Sequence, residues 1–277
     1  MQRLFHHGRC LDVAVDHGVF NEPGFLAGLE DMASVVDALV RAQPDAIQMN
    51  FGQADLLQAR PDRAKPALVM RLDIGNPYNA LRHRSMWSHL QSVDEPILEA
   101  LRLDAAAVVV NLLLLPDEPD LFRACVDNIA RVRTACTHYA MPLMVEPLVM
   151  QANDGRGGYQ VDGDTQKIVT LVRVASELGA DIIKADPTDT PEDYIKVVEA
   201  ARCPVLVRGG GRADLKTVFD KAAHYMKAGA CGLVYGRNIY QHQDPAKVVR
   251  ALMAIIHDGA SGDAAWDLYT TPEGQVS

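Results

Sequence analysis

Short apolar runs, each closed by polar residues or glycine, recur eight times along the chain, and most intervals between them carry helical periodicity. The runs span 11–15, 45–50, 67–73, 106–115, 141–149, 180–184, 203–208 and 231–235 and are rich in Val, Ile, Leu and Ala. Runs this short, without sustained polar alternation, are how strands covered on both faces read in sequence. Helical patterns fall at 24–42, 95–103, 122–139, 165–178, 192–201, 214–228 and 245–257. Asp164 with Thr165, and Thr190 with Pro191, give start signals; Gly179 and Gly229 give stops. The alternation predicts parallel strands joined by crossover helices. Eight repeats, with no Gly-x-Gly-x-x-Gly after the first run, favour an α/β chain closed as a single (β/α)8 TIM barrel over a doubly wound open sheet. The barrel is expected to take up 1–258, with a polar, loosely ordered tail over 259–277. Two intervals break the rhythm. Residues 154–164, rich in Gly and Asp, predict a loop, and the polar segment 78–87, with Tyr78, Arg82, His83, Arg84 and Trp87, predicts a lid or an oligomer contact.

Composition narrows the function more than the fold. The 277 residues match the size of one such barrel, typically ~250 residues. A net charge of -9 with no block of Lys and Arg leaves no footprint for nucleic-acid binding. No apolar stretch approaches a membrane span, and the N-terminus lacks the apolar core of a signal peptide. The five cysteines are scattered, with no C-x-x-C spacing, as in a reducing compartment. A cytoplasmic protein with no membrane partner is expected.

In a parallel barrel, chemistry gathers at the C-terminal strand ends. Here those ends carry Asp16 and His17, Asn50, Arg71 and Asp73, Asn111, Glu146, Lys184, Arg208 with Gly209, Gly210 and Gly211, then Gly236 and Arg237. Lys184 closes an apolar run. If that strand end opens into a pocket, burial disfavours the ammonium and its pKa should fall, giving an amine that attacks carbonyls; otherwise it is a lysine leaving a strand for solvent. Glu146, set among apolar neighbours, is either a buried ion-pair partner or a proton carrier whose pKa burial raises. The glycine triplet is a flexible turn or, paired with Gly236-Arg237-Asn238 opening the next helical segment, a phosphate cradle. Asp16 would organise the lysine or a substrate hydroxyl, His17 reads as a packed residue, and Arg71 and Asp73 share a face and can pair. Of nine histidines only His17 stands at a strand end, so no metal or other cofactor is expected.

Four stretches together resemble the class I fructose-bisphosphate aldolases of the archaeal and bacterial type, within the group containing deoxyribose-phosphate aldolase. They are Ala-Val-Asp16-His17-Gly18, Ala-Asp-Ile-Ile-Lys184, Val-Leu-Val-Arg-Gly-Gly-Gly211 and the stretch from Ala-Gly-Ala-Cys231 to Gln241. The resemblance spans roughly 8–257. It implies a (β/α)8 barrel, Lys184 as the Schiff-base lysine, Asp16 as an active-site aspartate, a substrate-phosphate site at Gly210, Gly211, Gly236 and Arg237, and a homo-oligomer. The chain departs where archaeal members carry Tyr-Pro-Arg-Gly, having Glu146-Pro147-Leu148 instead, which looks more like the tagatose-bisphosphate and sulfofructose-phosphate aldolase branch.

The function expected is reversible cleavage of a phosphorylated ketose through Lys184, with Glu146 and Asp16 assisting, and with Gly209, Gly210, Gly211, Gly236, Arg237, Arg208, Asn50 and Arg71 holding a small phosphorylated sugar. The alternatives are an acyl-transferring thiolase or a heptulosonate-type synthase at the same lysine, or a sugar-phosphate-binding protein without catalysis.

Overall fold

Eight of the strands are parallel and close on themselves, in a computed structural model that describes residues 1–20, 22–61, 64–78, 86–92, 94–155 and 157–271. They are β1 (Cys10–Ala14), β2 (Ala46–Met49), β3 (Ala67–Arg71), β6 (Ala105–Leu114), β7 (Leu143–Ala152), β9 (Ile182–Ala185), β10 (Val205–Arg208) and β11 (Gly232–Tyr235). The order β6-β3-β2-β1-β11-β10-β9-β7, with β7 pairing back to β6, is a (β/α)8 barrel. Three short strands lie outside it: β4 (Asp73–Gly75) pairs antiparallel with β5 (Ser88–Leu90), and β8 (Tyr159–Val161) folds back on the end of β7. The third apolar run therefore divides, Arg71 ending the barrel strand and Asp73 beginning the hairpin. Part of the stretch read as loop, 154–164, is the returning strand of a second hairpin.

The connecting helices are α1 (Met32–Ala42), α2 (Asp55–Gln58), α3 (Pro96–Arg102), α4 (Pro119–Tyr139), α5 (Thr165–Glu177), α6 (Tyr194–Ala200), α7 (Leu215–Lys227), α8 (Arg237–Tyr240), α9 (Pro245–His257) and α10 (Gly262–Thr270). Asp31, Asp164, Asp214 and Asp244 cap α1, α5, α7 and α9 by accepting from the backbone N–H three residues on. Each such cap stabilises its helix by roughly 1 kcal/mol. The first helix is shorter than its 24–42 pattern because Gly28 adopts φ +86° and comes so close to the Tyr240 carbonyl that a Cβ would stand 2.7 Å from it. The tail is corrected as well: α10, capped by Ser261, is a helix packed on α7 and α9, with Ala265 buried and Tyr269 edge-on to Phe219. Its polar composition hid an apolar face of Ala265, Trp266 and Tyr269.

Two apolar clusters follow from the two faces of each strand. The larger lies between sheet and helices; the smaller, with Cys10, Ala14, Ala46, Val69, Ala107, Val109, Met144, Ile182, Leu206 and Val234, fills the barrel, and Leu4 packs with it. Above this fill the inward positions turn polar. Asp16, Gln48, Arg71, Asp73, Asn111, Glu146, Lys184, Asp186 and Arg208 are all buried, which is where the barrel puts its chemistry. Among the described residues no helix is long and apolar enough to cross a membrane.

Candidate active site

β7 and β9 are neighbours in register, Met144 beside Ile182 and Val145 beside Ile183, so the next residues, Glu146 and Lys184, stand side by side at the mouth. Lys184 Nζ lies 3.0 Å from Glu146 Oε2. The same ammonium reaches over to β2, donating to Gln48 Oε1 at 3.3 Å, and Gln48 Nε2 donates to Asp16 Oδ2 at 2.6 Å. The lysine is thus buried, 4% exposed, and does not leave its strand for solvent.

Arg71 is the hub beneath this contact. Its guanidinium donates to Asp16 Oδ2 at 2.8 Å, Asp73 Oδ1 at 3.2 Å and Glu146 Oε2 at 2.5 Å, and Asp73 Oδ2 accepts the backbone N–H of Asn111. Arg208 approaches the other Glu146 oxygen at 3.2 Å, donates to Asp186 at 2.5 Å and to the Tyr78 hydroxyl at 2.7 Å. Glu146 is therefore shared by three cations.

The charge states follow from that sharing. Burial by itself would raise the Glu146 carboxyl, yet Lys184, Arg71 and Arg208 hold it down to about 2. The sequence expectation of a carboxyl raised by burial is reversed: the resting side chain is a carboxylate. Burial works against charge on Asp16 too, and Arg71 with Lys184 outweighs it, so that carboxyl is lowered. Asp186 goes the other way, burial carrying it up to about 6 against the pull of Arg208. Burial also pushes the His17 imidazole down to about 4, so it is neutral; its ring packs edge-on to Phe20, Phe25 and Tyr240, as a packed residue.

At the neighbouring strand ends, Asn238 Nδ2 donates to the carbonyls of Gly209 (2.8 Å) and Gly211 (3.2 Å), and its Oδ1 accepts from the Ala213 N–H. These contacts occupy the acceptors of the glycine turn. Arg237 donates to the Gly210 carbonyl at 3.1 Å and lies over the Phe25 ring at 4.1 Å. Among the described residues its charge rests on an aromatic face and on no carboxylate, which leaves it available to an anion. Because α8 has only four residues its dipole is small, and the anion preference comes from Arg237 and the glycine backbone more than from a helix terminus.

One cavity joins these parts. Asp16, Glu146, Lys184, Arg208, Gly209, Gly210, Gly236 and Arg237 line it, together with His17, Phe20, Phe25, Tyr78 and Asn238. It encloses about 40 Å³, room for a water molecule or so. A larger vestibule outside shares Phe25, Tyr78 and Arg237 with it and also takes in Gly211. The remaining two sequence candidates are not in the cavity wall. Arg71 is fully buried with its guanidinium committed to carboxylates, and Asn50 holds the Asp16 carbonyl at 2.9 Å, so both position other groups. Of the segment 78–87, Tyr78 faces the cavity and Trp87 stacks on His89, while Arg82, His83 and Arg84 lie outside the described residues. Sequence reading missed Gln48 and Asp12. Both could have been found by strand alternation, since Gln48 is two residues before Asn50 and Asp12 is four before Asp16.

The sequence model of the DeoC/LacD family aldolases matches residues 10–242. An uncharacterized aldolase of Saccharolobus solfataricus is 32% identical over 269 residues, covering 94% of each chain. The 2-amino-3,7-dideoxy-D-threo-hept-6-ulosonate synthase of Halobacterium salinarum is 26% identical over 269 residues, covering 96% of this chain and 93% of the relative. Among solved structures, a Schiff-base-forming fructose-1,6-bisphosphate aldolase studied in its reaction intermediates superposes with a TM-score of 0.76 at 25% identity, covering 92% of this chain and 97% of that one.

Proposed function

The chain belongs to the DeoC/LacD family of aldolases and is a lyase, and from that premise we propose that it reversibly cleaves a phosphorylated ketose through a Schiff base on Lys184. The observation that carries this reading is the Lys184–Glu146 contact at 3.0 Å in a cavity that also presents, at the ends of the next two strands, the glycine turn and Arg237. As a ketone displaces water, the ammonium gives its proton to the Glu146 carboxylate and the amine attacks the carbonyl carbon. Glu146 returns the proton to the departing hydroxyl and water leaves; the Glu146 carboxylate then takes the proton of the substrate hydroxyl beta to the imine, that oxygen becomes the aldehyde carbonyl, and the cationic imine accepts the electron pair of the C–C bond that breaks. Asp16, held by Arg71 and Gln48, faces the cavity where a substrate hydroxyl would lie. Arg237, with Gly210 and Gly236, takes the phosphate, and charge-assisted contacts of this kind are the stronger ones. A sugar phosphate exceeds the closed cavity, so the Phe25–Tyr78 pair, in edge contact with ring centroids 4.7 Å apart, must part to admit it.

The test is borohydride reduction in the presence of dihydroxyacetone phosphate, followed by mass mapping. An adduct on Lys184 is expected. An adduct on Lys167 or Lys196, or none, overturns the reading. The likeness to a heptulosonate synthase over nearly the whole chain favours a second reading, transfer of a carbon unit to another acceptor at the same lysine. Product analysis with a panel of aldehyde acceptors, with and without coenzyme A, separates the two and also covers acyl transfer.

A further inference from the structure

Among the described residues, one carboxylate of the barrel interior takes part neither in the proposed reaction nor in any hydrogen bond. Asp12 lies between Cys10 and Ala14 on β1, and both of those belong to the small cluster that fills the barrel, so strand alternation sends the Asp12 side chain to the same face. It is completely buried, and neither carboxylate oxygen has a hydrogen-bond partner among the described residues. An orphaned carboxyl in such surroundings is costly to keep, and a side chain of similar shape without charge would avoid that cost.

Its level in the barrel gives it a place. Ala14 is opposite Gln48 in the β1–β2 register, and Gln48 Oε1 is where the Lys184 ammonium ends. Asp16 lies two residues above that level, towards the mouth, and Asp12 two residues below. Ala14, between them, is too small to screen one from the other. The charged groups that face Asp12 are Lys184 and Arg71, which favour its anion, and Asp16 and Glu146, which oppose it. Burial outweighs them all and carries the carboxyl up to about 7, and of the charges Lys184 acts on it most.

We propose that Asp12 is a positioning residue for the aldol reaction, an ionisable counter-charge beneath Lys184 that sets the pH range over which the lysine condenses with a ketone. This rests on the Schiff-base reading above. Asp12 transfers no proton to substrate; the proton that Lys184 gives up goes to Glu146. When Asp12 is anionic it holds the ammonium in its charged form and slows attack. When it is neutral that hold is released. Ammonium and protonated imine carry the same charge, so Asp12 changes the rate of imine formation with pH and leaves the final extent nearly unchanged.

The experiment follows the rate of borohydride-trappable adduct on Lys184 with dihydroxyacetone phosphate across pH, in the unaltered protein and in Asp12→Asn. The expected result is a midpoint lower by about one pH unit in Asp12→Asn, the size of effect a nearby opposite charge has. The final extent of trapping should be the same. Equal midpoints overturn the proposal while leaving the Schiff-base reading intact. A complete absence of adduct in the unaltered protein overturns both. If Asp12→Asn does not fold, infrared titration of the unaltered protein and of Lys184→Met decides: a buried-carboxyl band whose titration moves to higher pH in Lys184→Met supports the proposal, and a band set that the substitution leaves unmoved overturns it.

Discussion

Lys184 Nζ and Glu146 Oε2 meet at 3.0 Å because β7 and β9 run in register, each contributing the inward residue two beyond its last barrel-filling side chain. The two groups are a cross-strand pair in which each compensates the buried charge of the other.

Replacing Lys184 by alanine removes the nucleophile. Turnover and the reducible adduct should both be lost, while Glu146 keeps Arg71 and Arg208 as counter-ions. Mass mapping after borohydride treatment and a circular-dichroism melt check the two halves of this expectation. A folded variant that still turns over would remove Lys184 from the mechanism.

Glu146→Gln should lower kcat ~10²–10⁴-fold, the usual loss when a positioned proton carrier is removed. It should also change the response to acid. The folded carboxyl at about 2 lies below its ordinary 4.5, so its contribution to stability is fully present above pH 4.5 and is lost as pH falls through that value towards about 2. The parent Tm should fall across that window, and the variant, destabilised at neutral pH because Lys184 loses its carboxylate partner while Arg71 keeps Asp16 and Asp73 and Arg208 keeps Asp186, should show a flatter acid limb. Thermal melts in an acid pH series measure it.

Arg237→Met removes the cation that rests on Phe25 while keeping much of the stem's contact with the ring. KM for a phosphorylated ketose should rise ~10–100-fold, as expected for one charge-assisted hydrogen bond, with a smaller change in kcat. Steady-state kinetics with the phosphorylated substrate and its unphosphorylated counterpart read this directly, the second being affected much less.

Gly236→Ala tests the contact between β1 and the strand-eight turn. A Cβ there would stand 2.4 Å from His17 Cε1 and 2.6 Å from the Ala14 carbonyl oxygen, and the carbonyl cannot swing away. Overpacking of this kind costs about 1–3 kcal/mol, several degrees of Tm, and displaces His17 from the cavity wall. A melt unchanged from the parent would contradict the placement of that turn.

Much of this protein is readable from its residues in order. Eight short apolar runs alternating with helical ones dictate a parallel closed sheet, since strands hydrophobic on both faces need cover on both, and crossover helices supply it. Strand ends could likewise be read as a meeting place, and Lys184, Glu146, Asp16, Gly209, Gly210 and Arg237 do line one cavity. Hairpin strands and the last helix were not legible. Their stability comes from packing on distant elements, as α10 does on α7 and α9, and local composition does not record that.

The tertiary structure decided what each charge does. Along the chain Arg71 and Asn50 look like ligands for a substrate; in the barrel, closure turns Arg71 into the counter-ion of Asp16, Asp73 and Glu146 and makes Asn50 a brace for the Asp16 backbone. Burial would have raised the Glu146 carboxyl, but three cations from β3, β9 and β10 converge on it and reverse the sign. The amino-acid order determines which side chains point inward, by the two-residue period of a strand. Which of them then touch, and so which hold a proton, depends on register and ring closure between strands remote in the chain, because electrostatic interaction falls with distance through space and takes no account of distance along the sequence.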